Sequence, residues 1–285
     1  MAIVSNATGP YQRPVIHEIQ PLLFLDTGVG GLSVFAKVRA ALPQAAMIYA
    51  ADYAGIPYGE KTEMEVATRV CALIGLLSER YKPRLVVIAC NTASVIALAH
   101  VRAVLGVPIV GTVPAIKPAS LMTKTGIFGL LGTKATIRQP YVDRLEAEFA
   151  ADKTMLRHAA PGLVHVAEAK LRGEAIDMQI CRDAIAGLIE QPGGERLDAM
   201  VLGCTHFPLL EAELAQAGRD LGHPYPIHFL DGSDGIARRI LHLTEGQGWA
   251  NTPPRGLFLT TGALSDMEAY RAELAAYGLT EIDKV

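Results

Sequence analysis

Short apolar runs alternate with helix-length segments along almost the whole chain, and this alternation limits the fold more than any other feature. The runs Leu22–Leu25, Met47–Ala51, Leu85–Ala89 and Ala199–Leu202 have strand length and carry no polar residues. Strands of that kind are buried on both faces, as in parallel sheets covered by helices. Helical spacing of apolar residues fills the gaps, at Leu32–Leu42, Glu63–Tyr81 and Ser94–Leu105. Further strands are expected at Ile109–Val110, Gly126–Leu131, near Met155, at Ile227–Leu230 and at Leu257–Thr261. Further helices are expected at Ala135–Ala150, Val164–Leu171, Asp177–Ile189, Leu209–Ala217, Ile236–Leu243 and Asp266–Ala276. The pattern predicts an α/β fold with mainly parallel sheets, in which ligands bind beyond the C-terminal strand ends.

The chain has 285 residues, of which 50% are apolar and 19% charged, enough to build a large core. Its net charge of −3 shows no basic footprint for nucleic acid. No apolar stretch reaches bilayer length, and the first 20 residues lack the basic and apolar regions of a signal peptide. Residues 1–20 are therefore expected to form a flexible extension, and the chain to be cytoplasmic. The four cysteines, Cys71, Cys90, Cys181 and Cys204, should be reduced there, and none forms a Cys-x-x-Cys pair.

Two of the apolar runs end in a cysteine followed by hydrogen-bonding residues. One is LVVIACNTAS, Leu85–Ser94, and the other is VLGCTHFPLL, Val201–Leu210. A single free cysteine after such a run is commonly a small buried apolar residue. Two at equivalent strand ends suggest a pair of thiol acid/base groups on opposite walls of one cleft. A free thiol has a pKa of about 8.5, so only a few per cent is thiolate at neutral pH. His206 is the candidate helper for Cys204, and Asp26 for Cys90. Cys90, Cys204 and His206 could in principle ligate a metal. Metal sites usually hold one close ligand pair and a supporting carboxylate, which makes that reading weaker, and no metal is expected. Cys71 and Cys181 fall inside predicted helices and read as packing.

Two turns complete the constellation. In FLDTGVGGLS, Phe24–Ser33, a strand runs into Asp26, Thr27 and a glycine-rich turn before a helix. Backbone N–H groups there could hold an anion, or the turn could be an ordinary capped one. In GIPYGEK, Gly55–Lys61, Tyr58 tips a turn that is either a surface feature or a phenol at the cleft rim. Asn91, Thr92 and Ser94 could hold a carboxylate.

The segments DTGVGG, PYGEK, ACNTAS and LGCTHFPLL, in this order and spacing, resemble the glutamate racemases, cofactor-independent enzymes that make D-glutamate for peptidoglycan. The resemblance spans nearly the whole chain after residue 20. The Cys-Thr-His segment is specific, since aspartate racemases tend to carry Glu at the position of His206. The resemblance implies two thiol acid/bases, Cys90 and Cys204, that work on opposite faces of the α-carbon. It implies substrate contacts from Asp26 with Thr27, Tyr58 with Gly59, Asn91 with Thr92, and Thr205 with His206. It implies no pyridoxal phosphate and no other cofactor. Thr27 replaces the usual Ser, His165 stands where proline is common, and Glu168 matches a glutamate that is a candidate helper.

The resemblance also sets the expected organisation: two similar α/β domains facing across a central cleft, one of residues 21–113 plus 226–285, the other of 114–225. The N-terminal extension resembles that of proteobacterial members, some of which require UDP-N-acetylmuramoyl-L-alanine as activator. Arg102 and the segment Gly111, Thr112, Val113, Pro114, Ala115, Ile116 and Lys117 are the candidate activator residues. Arg102 and Lys117 could meet a diphosphate. Two other readings are a racemase of another acidic amino acid such as aspartate, and a protein that binds and inhibits DNA gyrase, as reported for some family members.

Overall fold

The computed structural model describes residues 20–250 and 256–285. The expected extension at 1–20 lies outside the described residues except for Gln20. The first run of the chain is β1 (Leu22–Asp26), α1 (Leu32–Ala41), β2 (Met47–Ala51), α2 (Glu63–Tyr81), β3 (Leu85–Ile88), α3 (Asn91–Val104) and β4 (Ile109–Gly111). The middle run begins with α4 (Ile116–Met122), β5 (Ile127–Gly132), α5 (Lys134–Ile137), α6 (Pro140–Phe149) and β6 (Thr154–Ala159). It continues through α7 (Gly162–Leu171), α8 (Met178–Ile189), β7 (Ala199–Leu202), α9 (Glu211–Asp220) and β8 (His228–Leu230). The chain closes with α10 (Ser233–Leu243), β9 (Gly256–Thr260), α11 (Arg271–Ala276) and β10 (Leu279–Lys284).

Two wholly parallel sheets result. The first has six strands in the order β10-β9-β2-β1-β3-β4, the second four in the order β6-β5-β7-β8. Strand alternation explains why the apolar runs are continuous. Leu22 and Phe24 of β1 pack against α1 and α10 on one face, while Leu23 and Leu25 pack against α2 and α3 on the other. In β5, Leu131 faces α7 and α8, and Phe128 and Leu130 face α4 and α6. Each such fully buried side chain contributes roughly 1.5–3 kcal/mol.

Local chemistry sets several boundaries. Helix α2 starts at a reciprocal cap in which Thr62 and Glu65 satisfy each other's backbone. The spacing that predicts one helix over 135–150 gives two, because Pro140 cannot continue a helix and instead opens α6. The expected helix at 209–217 begins as a 3-10 turn, Phe207–Leu210, and runs on as α9. The one expected at 266–276 is a 3-10 turn, Leu264–Tyr270, followed by α11. Sequence patterning missed α4 and the polar edge strand β10, LTEIDK.

The chain passes between the sheets twice, after β4 and after β8. Strand β8 pairs with β7, so residues 228–230 belong to the second sheet, and the return lies past the expected boundary at 226. The two crossing segments touch. A Cβ on Gly232 would lie 2.9 Å from the Val113 carbonyl oxygen, so only glycine allows the approach.

Candidate active site

Three strands, two from the first sheet and one from the second, end at one place. Strand β1 ends in Asp26, β3 leads to Cys90, and β7 leads to Cys204. Cys90 caps α3, which starts three residues earlier than its apolar spacing suggests, and its Sγ accepts the Ala93 N–H at 3.4 Å. A helix N-terminus favours the thiolate. Burial opposes it and, with the nearby Asp26 carboxylate, holds the Cys90 thiol well above its ordinary value.

Asp26 is buried and fully engaged. Its Oδ1 accepts from Thr27 N at 2.8 Å, and its Oδ2 accepts from Gly31 N at 2.6 Å and from Thr205 Oγ1 at 3.2 Å. Burial raises its pKa against the pull of these donors and of His206. Across the cleft, His206 Nδ1 lies 3.9 Å from Cys204 Sγ, and Nε2 lies 2.8 Å from Glu168 Oε1. Burial alone would lower the His206 pKa. The contacts with Cys204 and Glu168 override it and hold the imidazole well above its usual range. Burial would likewise raise Glu168, but His206, then Tyr270 and Tyr53, keep it low.

The glycine-rich turn proves to be a packing device. A Cβ on Gly30 would lie 2.5 Å from His206 Nδ1, and one on Gly28 would lie 2.5 Å from Glu168 Oε1. Two N–H groups of the turn, on Gly31 and Val29, go to Asp26 and Glu168. The anions held there are the protein's own carboxylates.

Cys90 and Cys204 line one small cavity together with Thr27, Tyr58, Gly59, Asn91, Thr92, Thr205 and His206. Its volume of about 20 Å³ has room for about one water-sized molecule. Among the described residues no cluster of His, Cys, Asp and Glu could hold a metal ion.

The sequence profile of the Asp/Glu/Hydantoin racemase family matches residues 32–238. The chain belongs to that family. This family member is 57% identical over 265 residues to a glutamate racemase of Sphingopyxis alaskensis, covering 93% of the chain and 97% of the relative. It is 42% identical over 224 residues to a glutamate racemase of Haemophilus influenzae, covering 79% and 80%. Its fold matches Escherichia coli glutamate racemase, solved with L-glutamate and the activator UDP-MurNAc-Ala, at a TM-score of 0.84 and 36% identity over 93% of the chain and 98% of that protein. The Bacillus anthracis isoform RacE1 matches at 0.77 and 28%, over 94% and 98%.

The racemase-family chain brings together every residue singled out for catalysis or substrate contact except Ser94, with Asp26 just behind the cavity wall; the Ser94 hydroxyl instead donates to the Ile88 carbonyl and accepts from Thr112 N, each at 2.9 Å. One detail differs. Tyr58 is not free at the rim: it is 2% exposed and donates to Asp52 Oδ2 at 2.6 Å. Asp52 is also bound by Thr261 Oγ1 at 2.6 Å and paired with Arg69, which keeps it ionised despite burial. Sequence reading missed Ile56, Pro57, Thr133 and Val164 in the lining. Thr133 caps α5, and its hydroxyl meets that of Thr92 across the cleft at 3.3 Å. Also missed were Tyr49, Tyr53 and Tyr270, whose hydroxyls back Asp26 and Glu168.

A second, larger concavity of about 880 Å³ lies over the crossing segments. Arg102, Gly111, Val113, Pro114, Ala115 and Lys117 line it, with Lys37, Arg238 and Arg239. Thr112 instead lines a neighbouring small cavity, and Ile116 is buried in the core under α4.

Proposed function

We propose that this protein interconverts L- and D-glutamate without a cofactor, with Cys90 and Cys204 as the two acid/bases. The observation that carries the reading is the shared cavity: the two thiols come from different sheets and line one space. One thiolate takes the α-proton as the C–H bond breaks, and the electron pair stays on the α-carbon, delocalised into the carboxylate. The opposite thiol then gives its proton to the other face. The enzyme ends with thiol and thiolate exchanged, and the centre is inverted. Asp26 serves Cys90, and the His206–Glu168 pair serves Cys204.

Hydroxyls and amides of Thr27, Asn91, Thr92 and Thr205 stand around the cavity as fixed donors for the substrate carboxylates. Donors placed where charge grows stabilise the carbanion-like transition state. Glutamate has ten heavy atoms and exceeds a 20 Å³ space, so the two halves part to admit it. The crossing segments at Val113 and Gly232 are where that motion is taken up.

The groove over those segments is the site of a nucleotide activator, of the kind that the Escherichia coli relative was solved with. Lys37, Arg102, Lys117, Arg238 and Arg239 supply cations for a diphosphate. Binding there acts by favouring one arrangement of the halves. The setting is the cytoplasm, and the product D-glutamate serves peptidoglycan synthesis. Among the described residues no helix is long and apolar enough to cross a membrane.

The test is incubation with L-glutamate in D2O, without added cofactor, following optical activity and α-deuteration. Loss of rotation with deuterium uptake is expected. Absence of both, with and without the nucleotide, would defeat the reading.

A further inference from the structure

Glu168 is the point where the two halves meet behind His206. It sits on α7 and is 5% exposed. Its Oε2 accepts from Tyr53 OH at 2.9 Å and from Tyr270 OH at 2.6 Å. Its Oε1 accepts from Val29 N at 3.3 Å and faces His206 Nε2 at 2.8 Å. Tyr53 follows β2, Tyr270 precedes α11, and Val29 lies between β1 and α1. These three donors therefore reach Glu168 from the opposite half. The Tyr270 oxygen in turn accepts from Nη1 of Arg172, the residue that caps the C-terminus of α7, at 2.6 Å. Neither phenol lines the cavity between the thiols.

We infer that Tyr53 and Tyr270 are positioning residues for the Cys204 side of the reaction, an inference that rests on the glutamate racemase reading. An ionised carboxylate has about four acceptor sites, and Glu168 fills them with two phenols, one amide and one imidazole. With every site used, the carboxylate has one orientation. It then fixes the His206 ring, directs Nε2 away from the cavity and leaves Nδ1 facing Cys204 Sγ. Loss of one phenol hydroxyl leaves a buried acceptor unpaired and frees the carboxylate to turn. Neither phenol reaches the Cys90 side, because the donors to Asp26 are Thr27, Gly31, Tyr49 and Thr205. The effect is therefore one-sided.

Racemisation exposes a one-sided effect clearly. The Cys204 step is deprotonation in one direction and reprotonation in the other. Tyr270→Phe and Tyr53→Phe keep the rings and remove only the hydroxyls. Each is expected to lower kcat about tenfold, the scale of one hydrogen bond to a charged group. With α-deuterated substrates the primary isotope effect on kcat/KM should rise for the enantiomer whose proton Cys204 takes. It should fall for the other, where C–H cleavage by Cys90 becomes reversible. Solvent exchange by the Cys90→Ser and Cys204→Ser proteins identifies which enantiomer is which. Circular dichroism confirms the fold of each variant, and both tyrosines are tested because they share one oxygen of Glu168. Unchanged rates, or isotope effects that stay unchanged or shift the same way for both enantiomers, would overturn the positioning role while the wild type still racemises glutamate. A wild type inactive on both enantiomers would remove the functional reading itself.

Discussion

The Thr205 hydroxyl donates to Asp26 Oδ2 across the cleft at 3.2 Å, joining the strand end that carries Cys204 to the one beside Cys90. Each thiol thus has a titratable neighbour in its own half, Asp26 for Cys90 and His206 for Cys204, and the Thr205–Asp26 hydrogen bond links the halves beside them. The arrangement is near-symmetric in roles but not in chemistry. Asp26 is a carboxylic acid pushed up by burial, whereas His206 is an imidazole held up by Cys204 in front of it and the Glu168 acid behind it. The asymmetry means that damage to one side can be read separately from damage to the other.

Replacing either thiol should stop inversion and leave half of the chemistry. A serine hydroxyl is far too weak an acid to replace a thiolate at neutral pH. Cys90→Ser and Cys204→Ser are each expected to lower racemisation by on the order of 10²–10⁴-fold, the usual range for an acid/base group. Each should still exchange the α-proton of the enantiomer that presents it to the remaining thiol. Proton NMR in D2O, run separately on L- and D-glutamate, checks this. Exchange of both enantiomers at equal rates by either variant would contradict the two-face arrangement.

Gly30 is predicted to be intolerant of alanine for a reason that involves no backbone strain. Its Cβ would stand 2.5 Å from His206 Nδ1, so the ring must shift. Overpacking of this kind costs about 1–3 kcal/mol of stability. The ring it displaces is the one beside Cys204, so activity should fall as well. Gly75, where a Cβ meets nothing within 4 Å, is the control, and Gly75→Ala should leave both unchanged or raise helix stability slightly. Thermal denaturation and initial rates on the pair distinguish the two cases.

The two thiols and their hydrogen-bonding neighbours were legible because each belongs to a short segment whose strand-then-cysteine order has a chemical meaning. Most strands were legible for a similar reason: burial on both faces leaves an uninterrupted apolar run. β10 was not, because an edge strand with solvent on one side carries LTEIDK and shows no such run. The helper tyrosines were not legible either. Tyr53, Tyr270 and Glu168 lie far apart in sequence, and only the packing of α7 against the first sheet's layer brings them into contact. The role of the glycines at 28 and 30 was hidden for the same reason, since the atoms they make room for come from the other half of the chain.

The cationic groove should bind a nucleotide diphosphate through Lys117 and Arg102. The Lys117 ammonium lies 5.0 Å from the Phe149 ring centroid, and Arg102 Nη2 donates to the Ile109 carbonyl at 3.0 Å. Both therefore hold defined positions at the groove wall. Lys117→Glu exchanges a cation for an anion facing the diphosphate. Its affinity for the muramoyl-alanine nucleotide is expected to fall at least tenfold, the scale of one charge-assisted hydrogen bond. Calorimetric titration measures this, and an unchanged dissociation constant would place the nucleotide elsewhere.

The Glu168–His206 pair should leave a signature in stability against pH. His206 has a folded pKa raised above its ordinary 6.5, so its contribution is complete below 6.5 and is lost as pH rises through the folded value. Glu168 has a folded pKa below its ordinary 4.5, so its contribution is complete above 4.5 and is lost as pH falls through the folded value. Both contributions are present together between about pH 4.5 and 6.5. Glu168→Gln removes the ionised acid and with it one of the two supports of the imidazolium, Cys204 being the other. The Tm difference between wild type and Glu168→Gln is therefore expected to be largest in that window and to shrink on either side. Scanning Tm from pH 3 to about pH 9 for both proteins measures the difference directly, and other titrating groups cancel in the subtraction. A difference that stays constant across the whole range would mean that the pair is not ionised in the folded protein.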